Sequence, residues 1–374
     1  MNSGGTVRNS GLFVGSRCSF RQNRAVGWEG WILWPELGGS DSQGGAICNV
    51  GVLFIEDSDF IGNKARGQDG AIGLSLIGQQ VGDGGTGSRG GSGYGGVIFN
   101  AGVATLVNST LVSNTCTGGE GGRGGSAAFY FTHGNYYYLG NGAHGGNGGS
   151  GLGSGVYSVG SAANLTNCTV ALNTASAGFG GSGRLGTYSG SVGTNGSATG
   201  GIHASIISSL VNTLLVTNAP GNGSGNLTAL GHNVSSDSSC NFTNTGSLNN
   251  ADALLGPLAN NGDPTLTMAL LPGSPAIDAG DNASAPPTDQ RGLPRPLGRA
   301  ADIGAYEYAA QLQIERVAQN GWSLLLRDGV PGQTCRLLVS STLSNWQSLV
   351  TNQIATDGTT CFQQELDPSQ SRRF

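Results

Sequence analysis

The chain has 374 residues, of which 10% are charged, and its formal net charge is −5. This weak, acidic charge excludes a nucleic-acid partner, which would require a basic surface patch. The 69 glycines follow no Gly-X-Y period, which excludes collagen. No stretch reaches about 18 consecutive apolar residues, so we expect no transmembrane segment.

The start of the chain is already part of a repeat. Residues 1–5 show neither the basic nor the apolar region of a signal peptide and lead straight into a strand pattern. We interpret this as a chain truncated at its start. Export therefore has to be inferred from the remaining residues.

The repeat extends to about residue 218. A pair of small residues precedes a β-branched or aromatic stretch, and an apolar residue with an asparagine three positions later follows. Phe60, for example, lies fifteen residues after Gly45 and is followed by Asn63. Such constant spacing is typical of repeat architectures. The five pairs are Gly4-Gly5, Gly44-Gly45, Gly95-Gly96, Ser154-Gly155 and Gly200-Gly201, and the asparagines are Asn23, Asn63, Asn114, Asn173 and Asn218.

Apolar residues alternate with other residues inside each copy, as in Leu53/Ile55 and Ser58/Phe60. Alternate residues of a strand face the same side of a sheet, and no segment keeps a helical period, so the sequence predicts an all-β protein. One copy cannot bury its apolar face alone, whereas stacked copies share a continuous core. We expect apolar ladders inside the stack. We also expect the five asparagines in one row at a turn, because asparagine tolerates left-handed backbone and its amide can bond along the stack.

Three literal motifs carry a resemblance. GGAI at 44–47, FRQN at 20–23 and FIGN at 60–63 resemble the repeats of the chlamydial polymorphic outer-membrane proteins and related bacterial β-helices. The resemblance implies a right-handed parallel β-helix, with parallel strands in stacked coils through about residue 308.

Four insertions of different length separate the copies, at 24–43, 64–94, 115–153 and 174–199. Insertions at one point of a repeat lie on one face of the stack, which is often the binding face. Exposed aromatic side chains there could stack on sugar rings or anchor a protein partner, although packing on the loops themselves is the favoured alternative. The candidate ligand-binding residues are Trp28, Trp31, Trp34, Phe129, Tyr130, Tyr136, Tyr137 and Tyr138.

An ordered set of motifs follows the repeat, including LPGSPAIDAG at 271–280, TDQRG at 288–292 and DIGAYE at 302–307. Over residues 200–308 the chain closely resembles the choice-of-anchor Q domain of bacterial surface β-helix proteins. We expect this region to cap the end of the stack. Its charges suggest a calcium site, a carboxylate pair for glycoside hydrolysis or, the favoured interpretation, an ion pair between Arg291 and an aspartate. The charged residues are Asp278, Asp281, Asp289, Arg291, Asp302 and Glu307.

Residues 309–374 have fewer glycines and several β-type runs separated by turn signals. STLSNW at 341–346 and the ending RRF resemble a small C-terminal domain common in secreted proteins of verrucomicrobial and planctomycete bacteria. The resemblance implies a fibronectin-like β-sandwich. In an exported protein, Cys335 and Cys361 are candidates for a disulfide across two of its strands.

No acid, base, nucleophile or metal-ligand constellation accompanies the repeat, so we assign no catalytic residue, no metal and no cofactor. The sequence favours a non-catalytic secreted or cell-surface protein that binds a polysaccharide or another surface protein through its glycine- and aromatic-rich loops. The alternative is a polysaccharide-degrading lyase or glycoside hydrolase, which rests on analogy of fold alone.

Overall fold

In the computed structural model, the described part of the chain comprises residues 2–3, 5–27, 38–76, 81–309, 311–317, 321–327, 332, 334–339, 347–355 and 359–365. These residues form an all-β structure without a helix, as predicted. Accordingly, the described residues contain no helix that could cross a membrane.

Five short strands make up each of the first four copies. The first contains β1 (Asn2–Ser3), β2 (Val7–Asn9), β3 (Leu12–Ser16), β4 (Ser19–Arg21) and β5 (Arg24–Val26). The second contains β6 (Ser42–Gln43), β7 (Ile47–Asn49), β8 (Val52–Glu56), β9 (Asp59–Ile61) and β10 (Lys64–Arg66). The third contains β11 (Gly93–Tyr94), β12 (Ile98–Asn100), β13 (Val103–Val107), β14 (Thr110–Val112) and β15 (Thr115–Thr117), followed by a hairpin of β16 (Phe129–Thr132) and β17 (Asn135–Tyr138). The fourth contains β18 (Gly151–Leu152), β19 (Val156–Ser158), β20 (Ala163–Thr166), β21 (Thr169–Ala171) and β22 (Thr174–Ser176).

The later strands are fewer per copy and then change direction. The fifth copy contains β23 (Ala198–Thr199), β24 (Ile202–Val211) and β25 (Leu214–Val216), and β26 (Gly223–Gly231) and β27 (Val234–Ser235) follow it. An antiparallel pair, β28 (Leu255–Ala259) and β29 (Thr267–Leu270), comes next. The C-terminal strands are β30 (Gln311–Val317), β31 (Gly321–Arg327), β32 (Thr334–Val339), β33 (Gln347–Gln353) and β34 (Thr360–Glu365).

Equivalent strands of successive copies pair in parallel. One sheet has the order β4-β9-β14-β21-β25-β27, and three further parallel sheets connect the other strands of the copies in the same way. Side chains that alternate along these strands turn inward and stack on their equivalents. One buried row runs through Phe20, Phe60, Leu111, Val170 and Leu215, and the Phe20 and Phe60 rings stack with centroids 4.8 Å apart.

The predicted row of asparagines is confirmed. Each side-chain amide donates to the carbonyl oxygen of the next asparagine, from Asn23 to Asn63 at 2.8 Å and from Asn63 to Asn114 at 2.9 Å. The row continues from Asn114 through Asn173 to Asn218, with both distances 2.8 Å. The proposed left-handed backbone, however, lies at the preceding residue. Positive φ angles occur at Gln22, Gly62, Ser113, Leu172 and Thr217.

The register of the fourth copy corrects the sequence alignment by one residue. Val156 pairs with Ile98, so Gly153, rather than Ser154, is the equivalent of Gly95. Gly95 and Gly153 share positive φ angles of 67° and 66°. The extra residue of the fourth copy lies in the turn between β19 and β20, because Ala163 still pairs with Ala104.

Parallel stacking of named strands ends at Ser235, well before the predicted residue 308. Phe242 closes the core at that end. Residues 255–308, here called the side segment, instead lie along the sheet that contains β9, β14 and β21. Leu266 donates its N–H to Asp59 at 2.8 Å, and Thr110 donates to Gln290 at 2.6 Å. Further contacts reach Arg17 of the first copy, Thr169 of the fourth and Asn212 of the fifth. A segment that contacts all five copies holds them together laterally as well as covering an end.

The C-terminal strands form two antiparallel sheets, β30-β31-β34 and β32-β33. Cys335 pairs with Asn352 in one sheet, and Cys361 pairs with Leu325 in the other. None of the seven cysteines, all of which are described, forms a disulfide. The suggested Cys335–Cys361 bond is therefore not formed in this structure.

Candidate functional site

The described parts of the insertions hydrogen-bond to one another and form one assembly, here called the glycine bundle. One layer contains residues 67–76, 118–128 and 177–186, and the other contains 81–92, 139–150 and 187–197. Segments within a layer run parallel, with bonds every third residue. Gly70 donates to Glu120 at 2.6 Å, and Gly73 donates to Arg123 at 2.8 Å. The shared assembly agrees with the prediction that the insertions lie on one side.

Hydrogen bonds also connect the two layers, again every third residue but antiparallel. Gly119, Gly122 and Gly125 donate to Gly91, Ser88 and Gly85, each at 2.8 Å. Chains that bond only to neighbours, with three residues per turn, are of the polyproline II type. A β-strand hydrogen-bonds to two neighbouring strands. Here the backbone amides of one segment bond to neighbours in its own layer and in the other layer.

In the central segments 118–125 and 142–149, glycine or, at Ala143, alanine occupies two of every three positions, because neighbouring backbones lie against these positions. A Cβ atom at Gly121 would lie 2.0 Å from the Gly146 oxygen of the other layer. A Cβ atom at Gly122 would lie 1.8 Å from the Ala71 oxygen of the same layer. The third position points outward and accepts any side chain, as at Glu120 and Arg123, which are exposed. The glycine content is thus a packing requirement.

The hairpin β16–β17 extends from the middle of the bundle. Leu139 donates its N–H to Ala128 at 2.7 Å across its base. Phe129 pairs with Tyr138 and Phe131 with Tyr136, which places these four rings on one face of the hairpin. The Phe131 and Tyr136 ring centroids are 4.9 Å apart, and those of Phe129 and Tyr136 are 5.4 Å apart.

Several predicted aromatics are exposed. Phe131 is 60% exposed, Tyr136 61% and Tyr137 45%, while Phe129 and Tyr138 are half-buried. The favoured alternative of self-packing therefore describes only part of the cluster. Trp28, Trp31 and Trp34 lie outside the described residues, and for Tyr130 only the backbone pairing with Tyr137 is described.

Sequence reasoning missed other exposed apolar residues of the bundle. Phe179 is 67% exposed, Leu185 61% and Tyr188 76%. The first two are at outward positions of one layer, and Tyr188 is at an outward position of the other. The three-residue period of the glycines is the signal that could have identified them, because outward positions recur every third residue, from Phe179 through Ser182 to Leu185 in one segment and from Tyr188 to Ser191 in the next.

The acidic cluster of the side segment is an internal network. Arg291 binds Asp289 through Nη2 at 2.7 Å, which confirms the favoured ion pair, and its guanidinium lies 3.6 Å from the Tyr306 ring centroid. Arg295 binds Glu307 at 2.9 Å with both side chains almost fully buried. Burial, and secondarily the charge of Glu307, raises the pKa of Asp302 to about 7. Every one of these carboxylates is engaged by protein groups.

The geometry does not favour a metal at this network. In the described ranges, no group of three or more His, Cys, Asp or Glu side chains could hold a metal ion. The carboxylate oxygens instead accept backbone N–H groups, such as those of Asp278 at Asp302 and of Leu297 at Glu307. The chemistry available at the hairpin is stacking and neutral hydrogen bonding.

No family model, curated protein or solved structure matches the chain significantly.

Proposed function

We propose that residues 1–308 form a right-handed parallel β-helix with the side segment packed on it, and residues 309–374 a fibronectin-like β-sandwich. The parallel register of equivalent strands and the asparagine row support the first assignment. Two antiparallel sheets support the second. The resemblances to choice-of-anchor Q proteins and to a domain of secreted proteins support a secreted or cell-surface location.

We infer that the protein is a non-catalytic binding module whose ligand, a polysaccharide or another surface protein, contacts the outer end of the glycine bundle. The exposed aromatic face of the β16–β17 hairpin carries this proposal. Isolated two-stranded hairpins are marginally stable in water, so aromatic rings exposed on one favour a binding role over a packing role. The bundle holds the base of the hairpin on backbone bonds, which limits the ordering cost on binding.

Replacement of residues 129–138 by Asn-Gly tests the proposal. The two residues connect Ala128 to Leu139 through a type I′ turn, for which Asn-Gly is favoured. We expect the full chain to bind components of a glycan and polysaccharide array or intact bacterial cells, and the variant to lose that binding. Circular dichroism and thermal unfolding should remain those of the full chain, because the replacement leaves both layers of the bundle in place.

Unchanged binding by this variant contradicts the proposal. The enzyme alternative is tested separately by assaying polysaccharides for hydrolysis or β-elimination products. Release of such products would show that the protein is an enzyme rather than a non-catalytic binding module. Deletion of the whole insertion 115–153 is a poorer test. It removes β15 and both central segments of the bundle, so it would confuse loss of binding with loss of structure.

A further inference from the structure

The outer end of the glycine bundle has an unusual charge distribution. Between Arg123 and Asp237, Arg184 is the only aspartate, glutamate, lysine or arginine in the sequence. This span supplies the hairpin, the whole segment 139–150 and both segments from 177 to 197. The surface around the exposed rings is therefore made mainly of hydroxyl, amide, imidazole and aromatic groups. Its charged neighbour at the base of the hairpin is the exposed Asp83, which accepts the Asn141 N–H.

Exposed side chains of the second layer present hydrogen-bond donors on a fixed backbone. Asn147 accepts the Thr194 N–H through Oδ1 at 2.9 Å, and Asn195 accepts the Gly180 N–H at 2.9 Å. Each bond orients an exposed amide so that its NH2 group is directed away from the oxygen that is already used. His144 accepts the Ser191 N–H through Nδ1 at 2.9 Å, which leaves Nε2 as a donor.

The hairpin adjoins this polar layer. Thr187 donates its hydroxyl to the Tyr138 carbonyl oxygen at 3.3 Å, which places the exposed Tyr188 next to the end of β17. Aromatic rings and oriented neutral donors consequently occupy neighbouring parts of one surface. Rings stack on the apolar faces of pyranose units, while amide donors match sugar hydroxyls.

The size and charge of this surface discriminate among ligand classes. Stable protein interfaces use about 20–30 residues on each side, more than the ten residues of a hairpin from Phe129 to Tyr138 supply. An acidic polymer would lose hydration of its charges without a cationic partner, because the one arginine of this span, Arg184, is only partly exposed and Asp83 carries a like charge. A neutral polymer avoids both difficulties.

We propose that the ligand is an uncharged polysaccharide, which stacks on Phe131 and Tyr136 and extends along the second layer to the exposed amides of Asn147 and Asn195. This inference rests on the binding function proposed above and specifies its ligand class. Because no charge pair is formed, affinity should change less than about twofold between low and high salt.

The test uses the full chain and isothermal titration against soluble uncharged polysaccharides (a glucan, a galactomannan and a glucuronate-free xylan) and acidic ones (polygalacturonate and alginate). We expect binding to at least one uncharged polymer and a loss of affinity of about tenfold or more in the Phe131→Ala/Tyr136→Ala variant. Phe179→Ala is the matched control, because this exposed ring belongs to the other layer and should leave affinity unchanged.

Binding restricted to acidic polymers, binding to none of the uncharged polymers, or equal affinities of the double variant and the full chain would each overturn the ligand class. The binding function itself is judged separately by the Asn-Gly replacement. If that variant loses attachment to cells while no uncharged polysaccharide binds, the ligand assignment fails and the binding function stands. If it retains all binding, the proposed function fails as well.

Discussion

The strand stack and the glycine bundle use the same parallel succession of copies but are stabilised by different parts of the chain. In the stack, side chains such as Phe60 and Leu111 fill the interior, and every second residue faces inward. In the bundle, backbone groups occupy the interior, and two of every three residues of the central segments 118–125 and 142–149 are glycine or alanine. The stack is therefore stabilised by large side chains in its interior, whereas the bundle requires that side chains be absent from its interior.

The difference also determines where function can evolve. An outward position of the bundle has its backbone fixed by bonds to neighbouring segments, yet its side chain makes little contribution to packing. Outward residues that do not hydrogen-bond to a neighbouring segment, unlike Asn147 and His144, can consequently change without loss of the scaffold. The exposed residues Phe179, Ser182 and Leu185 on one segment illustrate this variety. The stack offers fewer such positions, because its sheets share their inner faces with the core.

Leu111→Ala should produce the largest effect on stability. Leu111 is fully buried between Phe60 and Val170, so truncation leaves a cavity that costs about 2–5 kcal/mol. Denaturant unfolding monitored by circular dichroism measures this loss. The control Leu12→Ala removes the same atoms from a side chain that is 72% exposed, and should change stability by less than about 0.5 kcal/mol. Equal losses in the two variants would contradict the assignment of the core.

Gly122→Ala should destabilise the bundle, with an overpacking cost of about 1–3 kcal/mol. The sign is diagnostic, since alanine in place of glycine at an unstrained loop position usually stabilises by about 0.4–1 kcal/mol. Amide hydrogen exchange at Gly122 and Gly146 reports the effect, because these N–H groups bond across the layers. Arg123→Ala, at the adjacent outward position, is the control. If both variants exchange like the full chain, the layers are not closely packed.

The stack was predictable because side-chain chemistry repeats along it. The asparagine row and the inward alternation were read from residue types, and both are present in the structure. The one-residue error in the fourth copy arose because Ser154-Gly155 looks more like the other glycine pairs than the true equivalent, Gly153-Ser154. The strand register and the left-handed conformation shared by Gly95 and Gly153 distinguish the two alignments, and neither is visible in the sequence.

The bundle and the side segment were not predictable in the same way. Glycine has no side chain from which a partner can be inferred. Gly122 contacts segments of both layers that are distant in the sequence, so these contacts could not be predicted. The side segment contained an interpretable ion pair, Arg291–Asp289, but nothing in its motifs indicated that Leu266 would reach Asp59. For the candidate site, the aromatic residues were identifiable from sequence, whereas the exposure of Phe131 depends on packing.

The smallest expected effect is on the pH dependence of stability, which should differ between the stack and the bundle. Burial raises the pKa of Asp302 from 3.8 to about 7, and burial also raises the pKa of Glu307. Between pH 3.8 and about pH 7, Asp302 binds more protons in the folded chain than in the unfolded chain. The free energy of unfolding therefore falls as the pH rises through this range. We expect a loss on the order of 1 kcal/mol between about pH 5 and about pH 8.

Asp302→Asn removes the main titrating group and should flatten that pH dependence, even though loss of one backbone hydrogen bond lowers stability at every pH. Glu120→Gln, which changes an exposed carboxylate of the bundle, should leave the slope unchanged. Asn167 of the stack donates to the Asp302 carbonyl oxygen at 2.9 Å, so titration should shift unfolding of the stack. Amide exchange at Gly122 below the unfolding transition should show no matching change. The exchange rates are first corrected for the pH dependence of intrinsic exchange. If exchange in the bundle then follows the pH profile of the stack, the two regions unfold as one unit, although they are stabilised in different ways.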